Sequence, residues 1–215
     1  MRSLSQCKRI AAVAVLFAAA AGLAACNPSR PPEGIGKVSR VQGEGVLKRG
    51  DSSSPLSAEL GVRIDDDIVT GAAARAELTF VDGTKLTVGE QSEIKIDSFV
   101  FDEGGSGNRL ALDVTGPFRF VSGKLGQGAG SAVSVTTPVA TIGVRGTDFW
   151  GGPIDGRYGV FLLEGSVTVT TEGGEVVLTA PGTGVDLAGR DQAPGEVIQW
   201  AQEKVDRAVA TVTFQ

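Results

Sequence analysis

From Gly36 onward the hydrophobic positions fall into short runs, alternating or β-branched, separated by glycine-centred turns. This is the pattern of half-buried strands. Runs at 38–41, 45–48, 76–81, 85–88, 93–96, 110–114, 117–121, 132–136, 159–163, 166–170 and 175–179 each predict a strand. Asp82-Gly83 between two such runs predicts a hairpin of type I′, which needs positive φ at both central positions. Glu172-Gly173-Gly174 is a second hairpin candidate, and the glycine-rich 103–108 segment predicts a mobile connection. One helix is expected over 195–209, where Val197, Trp200, Ala201, Val205 and Ala208 share a face opposite Glu196, Gln199, Glu203 and Arg207. Many short strands with closely spaced turns predict an all-β fold. It would be an irregular β-solenoid or a sandwich-like stack of short antiparallel strands, with one C-terminal helix.

The first 25 residues have a different pattern. Arg2, Lys8 and Arg9, without an acid, precede an unbroken apolar run from Ile10 to Ala21 that ends in small residues. That is the layout of a cleaved signal peptide, the run being short for a membrane span of about 20 residues. Leu23-Ala24-Ala25-Cys26 resembles the bacterial lipobox, which implies cleavage before Cys26 and acylation of its thiol. Asn27 stands where aspartate would resemble an inner-membrane retention signal, so the outer membrane is preferred to the inner. Residues 26–36, with three prolines and no hydrophobic periodicity, read as an extended lipidated tether reaching about 30 Å. The expected order is 1–25 signal, 26–36 tether, 37–190 β domain and 191–215 helical extension.

Composition narrows the chemistry. The 215 residues include no histidine, which removes Ser-His-Asp and Cys-His catalysis and imidazole metal ligation. Of the two cysteines, Cys7 leaves with the signal, so no disulfide is expected within a mature chain. Loss of three basic residues leaves 17 against 25 acidic ones, a balance that argues against binding a phosphate backbone. A carboxylate-only enzyme of the glycosidase kind would need paired acids in an aromatic-rimmed cleft, which 6% aromatic residues supply poorly.

Three stretches together resemble the FecR domain family. They are 36–50, then Asp66-Asp67-Ile68-Val69-Thr70-Gly71 with 76–86, then Thr137-Pro138-Val139-Ala140-Thr141-Ile142-Gly143-Val144-Arg145-Gly146-Thr147-Asp148-Phe149 with 163–167 beyond it. The resemblance spans roughly Gly36 to Gly189 and implies an all-β, solenoid-like periplasmic interaction domain. FecR regulators also carry a cytoplasmic anti-sigma segment and a transmembrane helix. With a removable signal in their place, a direct anti-sigma role is not expected here.

Arg145-Gly146-Thr147-Asp148 is the most distinctive tetrad. Arg145 could clamp a carboxylate or phosphate, but the preferred expectation is an internal tie that satisfies loop carbonyls or a buried carboxylate. Asp65-Asp66-Asp67 lacks calcium-loop spacing and reads as a turn before the Ile68-Val69 strand. The glycines of 123–131 surround Lys124 in the wrong order for a phosphate loop, so a flexible loop is expected. Ser52-Ser53-Ser54-Pro55 reads as a polar turn. No catalytic residue, metal or cofactor is assigned.

The function expected is a lipid-anchored, non-catalytic periplasmic protein that binds or scaffolds another envelope component, with envelope signalling as one setting. Its partners would be the membrane, through acyl chains on Cys26, and an envelope protein or glycan, but no nucleic acid. The alternative is a glycan-binding or carboxylate-dependent glycan-cleaving envelope protein. It requires Phe99, Phe101, Phe118, Phe120, Trp150 and Tyr158 to form an exposed row of rings.

Overall fold

A computed structural model describes residues 34–103, 107–127 and 130–215. The signal, most of the tether and much of the connection expected over 103–108 lie outside the described residues, as do two residues of the 123–131 loop. None of the described helices is long and apolar enough to cross a membrane.

Among the described residues the fold is all-β with a single C-terminal α-helix. In chain order the strands are β1 (Gly36–Gln42), β2 (Gly45–Arg49), β3 (Ser52–Pro55), β4 (Gly61–Val62), β5 (Asp66–Thr70), β6 (Arg75–Phe80), β7 (Lys85–Val88) and β8 (Glu93–Val100). There follow β9 (Arg109–Thr115), β10 (Phe118–Val121), a 3-10 turn over Lys124–Gln127, β11 (Ala132–Thr136), β12 (Thr141–Ile154) and β13 (Arg157–Thr171). The chain ends with β14 (Gly174–Leu178), β15 (Thr183–Leu187), β16 (Ile198–Gln199) and α1 (Gln202–Ala210).

One continuous sheet runs β3-β2-β5-β8-β9-β11-β12-β10-β7-β6-β1-β4, and β12 is the strand at which it doubles back. The first part of β12 pairs with β11 through Thr141–Val144, and the later part pairs with β10 through Asp148–Gly151. β13 follows β12 along almost its whole length, then lends one half to β14 and the other to β15. The sheet therefore curls into two facing layers joined by a long bent hairpin. Phe80 of β6 stacks on Phe99 of β8 across the layers, with centroids 5.6 Å apart. Apart from the parallel β9–β11 pair, the pairings are antiparallel, and the curled sheet forms a half-barrel.

Alternation along the strands builds the core. In β6 the inward set is Ala76, Leu78 and Phe80, and in β8 it is Ile94, Ile96 and Phe99. Phe118, Phe120 and Phe149 meet at 5.6 to 5.7 Å between centroids where β10 lies against β12. The later half of the bent hairpin is buried on both faces. Phe149 points into the main core, while Trp150 and Phe161 join Trp200, Ala208 and Val212 under α1.

Several elements differ from the sequence pattern. The runs 159–163 and 166–170 belong to one strand, β13, and Ser52–Pro55 is an edge strand paired with β2, not a turn. The helix begins at Gln202, seven residues after its expected start. Ile198 and Gln199 add to β15 as an edge strand, and the Trp200 amide donates to the Gly182 carbonyl at 3.1 Å. Those tertiary bonds outcompete the helical periodicity of 195–201.

Candidate functional site

The tetrad Arg145-Gly146-Thr147-Asp148 lies at the bend of the β12–β13 hairpin. Across the bend Arg145 faces Ser166 and Asp148 faces Glu164, so Gly146 and Thr147 together oppose Gly165 alone. That two-against-one count is a β-bulge, which bends its strand and re-aims its side chains. Both glycines have positive φ, +59° at Gly146 and +82° at Gly165. A Cβ on Gly165 would lie 2.0 Å from the Gly146 carbonyl oxygen, so the bend needs glycine there for contact as well as conformation.

The bulge decides where the tetrad's later side chains go. Arg145 is exposed, and among the described residues its guanidinium has no hydrogen bond or ion pair. Among the described residues the internal tie expected at Arg145 is not made: Arg145 precedes the extra residue and faces out by plain alternation with the buried Ile142 and Val144, while the bulge turns Thr147 inward. Arg119 of β10 makes a tie instead. Its Nε and Nη2 donate to the two Asp148 oxygens at 2.8 and 2.6 Å in a half-buried bidentate pair. The Asp148 hydrogen bond raises the Arg119 pKa above its already high ordinary value, so the pair stays charged. Thr147 is buried. Its amide donates to Ser122 Oγ at 2.9 Å and its carbonyl accepts from the Ser122 amide at 2.8 Å, while its own hydroxyl has no partner among the described residues.

Asp82 secures the other side of this region. Its carboxylate, almost fully buried, accepts from Thr84 Oγ1 at 2.6 Å, the Thr84 amide at 3.1 Å and the Leu125 amide at 3.1 Å, while its carbonyl accepts from the Lys124 amide at 3.0 Å. The hairpin turn at Asp82-Gly83 is present but is not of type I′. Gly83 has φ +88° and Asp82 does not adopt positive φ. The Gly83 amide donates to the Phe80 carbonyl at 3.0 Å and the Phe80 amide to the Thr84 carbonyl at 2.9 Å. This is a three-residue loop closed by one left-handed glycine, and it aims the Asp82 carboxylate inward at the 3-10 turn.

Between that 3-10 turn and the bend lies an open groove of about 510 Å³, bounded by Gly126, Ser131, Val133, Val144, Arg145 and Ser166. One cation beside two hydroxyl-bearing residues can take a carboxylate or another oxyanion through charge-assisted hydrogen bonds. The groove draws on the third FecR-like stretch. The stretches also meet through pairing, β1 with β6, β2 with β5, and Val144 of β12 with Val167 of β13.

The aspartate triplet separates as a turn. Asp65 has φ +64°, while Asp66 is completely buried as the first residue of β5. Asp66 accepts from Arg49 Nε at 2.7 Å, Arg49 Nη2 at 2.6 Å and the Arg63 amide at 2.8 Å. The backbone amide partner was expected; Arg49 was missed, although its place opposite Asp66 follows from the β2–β5 register. Of the six rings proposed as a sugar platform, Phe99, Phe118, Phe120, Trp150 and Tyr158 are buried and Phe101 is half-buried against the core. They form no exposed row, and the glycan reading loses the feature it required.

Residues 66–168 match the family model described as FecR protein. Two crystal structures of a "putative anti-sigma factor" from Parabacteroides distasonis ATCC 8503, at 1.65 and 2.50 Å resolution, have a similar fold. Each is 17% identical over 66% of this chain, with TM-scores of 0.52 and 0.51, and the chain spans 64% and 63% of their lengths. No curated protein matches the chain.

Proposed function

We propose that this is a non-catalytic, lipid-anchored protein of the bacterial cell envelope, facing the periplasm, whose FecR domain binds another envelope component. The FecR match over residues 66–168 carries the reading. The names of the similar crystal structures fit a place in envelope signalling, which this chain would occupy through a second protein. Cys26 is the anchor, and Asn27 after it favours the outer membrane. The groove at Arg145 is the contact for the partner, which presents a carboxylate or similar oxyanion to the unpaired guanidinium.

Metabolic labelling with a palmitate analogue, followed by envelope crosslinking and mass spectrometry, tests both halves. Label on the wild type and none on Cys26→Ser, with that variant released from membranes or left unprocessed, supports the anchor. Equal labelling of the two removes it. A recurrent crosslinked envelope protein supports the binding role, and a profile no different from an unrelated lipoprotein contradicts it.

A further inference from the structure

The outer face of the β1–β6–β7 layer, at the end where the chain enters it, is apolar and basic together. Val81 is 61% exposed, and its amide donates at 2.9 Å to the carbonyl of the half-buried Ile35, whose side chain packs partly against the core. The adjoining outward row on the same face is Lys37, Thr79 and Lys85, set side by side by the register of β1 with β6 and β6 with β7. Both lysines are exposed. Glu77 accepts from Ser39 and Asp148 from Arg119, while Glu59 pairs with Lys37 on the face itself, so Lys85 is the ammonium of this row without a carboxylate partner among the described residues.

A single exposed valine is ordinary. This one is distinguished by its place. Ile35 follows Gly34, and only seven residues separate Gly34 from Cys26. Even fully extended, the nine steps from Cys26 to Ile35 keep that edge of the patch within about 32 Å of an acylated cysteine. An apolar centre beside a lysine suits a bilayer interface, where the aliphatic groups enter the headgroup boundary and the ammonium group reaches anionic lipid.

We propose that Val81, with Ile35 and Lys85 beside it, forms a docking face for an anionic lipid surface and fixes the orientation of the domain on its membrane. The proposal rests on the anchor at Cys26. With Cys7 cleaved off and Cys26 acylated, an introduced cysteine is the one free thiol of the mature chain. Val81→Cys and, as a control on the edge strand β14, Val177→Cys are purified with their acyl chains, labelled with an environment-sensitive fluorophore and reconstituted into vesicles rich in phosphatidylglycerol. The Val81 probe should shift to the blue and lose about threefold in quenching by aqueous iodide, while the Val177 probe stays exposed. Adding Lys85→Glu should reduce that protection.

Equal quenching at the two positions in protein that floats with the vesicles overturns the docking face and leaves the anchor standing. Protein that neither floats nor takes up the palmitate analogue overturns both. Protection of Val81→Cys that persists without any lipid reports a contact between proteins, and also overturns the proposal.

Discussion

Tyr158 is the protein's single tyrosine, and its hydroxyl is buried without a hydrogen-bond partner among the described residues. Burial raises its pKa, because a phenolate there would lose its hydration. Thr137 offsets little, its hydroxyl already donating to the Ala140 carbonyl at 2.9 Å and accepting from the Ala140 amide at 3.0 Å. With the native pKa above the unfolded one, the tyrosine's contribution to stability is complete below about pH 10 and declines as the pH rises beyond it, at up to about 1.4 kcal/mol per unit. Tyr158→Phe removes an unsatisfied polar atom, so it should leave neutral-pH stability unchanged or raise it by about 1 kcal/mol, and should flatten the alkaline decline. Urea midpoints at pH 7 and above pH 10 check this, and a loss larger than 1 kcal/mol at pH 7 would mean that the hydroxyl has a partner. Arg49 presents the opposite case. Arg49→Met leaves the Asp66 carboxylate buried with only the Arg63 amide, and should cost about 2 kcal/mol, below the usual figure for a fully buried pair because Arg49 is partly in solvent. An unchanged melting temperature would show that Asp66 is held by backbone alone.

At the scale of elements, the β6–β7 loop isolates a backbone effect. A Cβ at Gly83 would meet nothing within 4 Å, so the strain of a substitution lies in φ alone. Gly83→Val should cost about 1 to 2 kcal/mol and Gly83→Asn clearly less, since asparagine tolerates the left-handed region. Equal denaturant midpoints for the two variants would contradict this. The runs at 85–88 and 132–136 were legible in the sequence to the residue, because each alternates cleanly against one core. β12 was not. Its pattern is broken by Gly143, Gly146, Gly151 and Gly152, and two of these are imposed by tertiary contact. A Cβ on Gly151 would lie 2.8 Å from the Phe118 ring, and one on Gly152 would lie 2.7 Å from Pro117 Cα. A strand whose glycines make room for neighbours distant in sequence looks like a connection until those neighbours are placed. The tetrad at its bend stood out for the same reason; Arg145 faces out by plain alternation, but the burial of Thr147 and the pairing of Asp148 with Arg119 depend on the bulge. No local pattern carries that register shift.

For the whole molecule, the curled sheet turns one long hairpin into the wall of both layers, and places the Arg145 groove where the wall bends. The ties on either side, Arg119 with Asp148 and Asp82 with the 3-10 turn, hold that bend while Arg145 itself holds nothing among the described residues. Stability and partner capture should therefore separate at this position. The measurement that tests the account most directly takes the thermal melting curve and the crosslinked-partner profile of one variant, Arg145→Ala, in the anchored protein. The expected result is a melting curve displaced by no more than about 0.5 kcal/mol in stability, with loss of the envelope partner seen for the wild type. A markedly lowered melting temperature, or an intact partner profile, would contradict it.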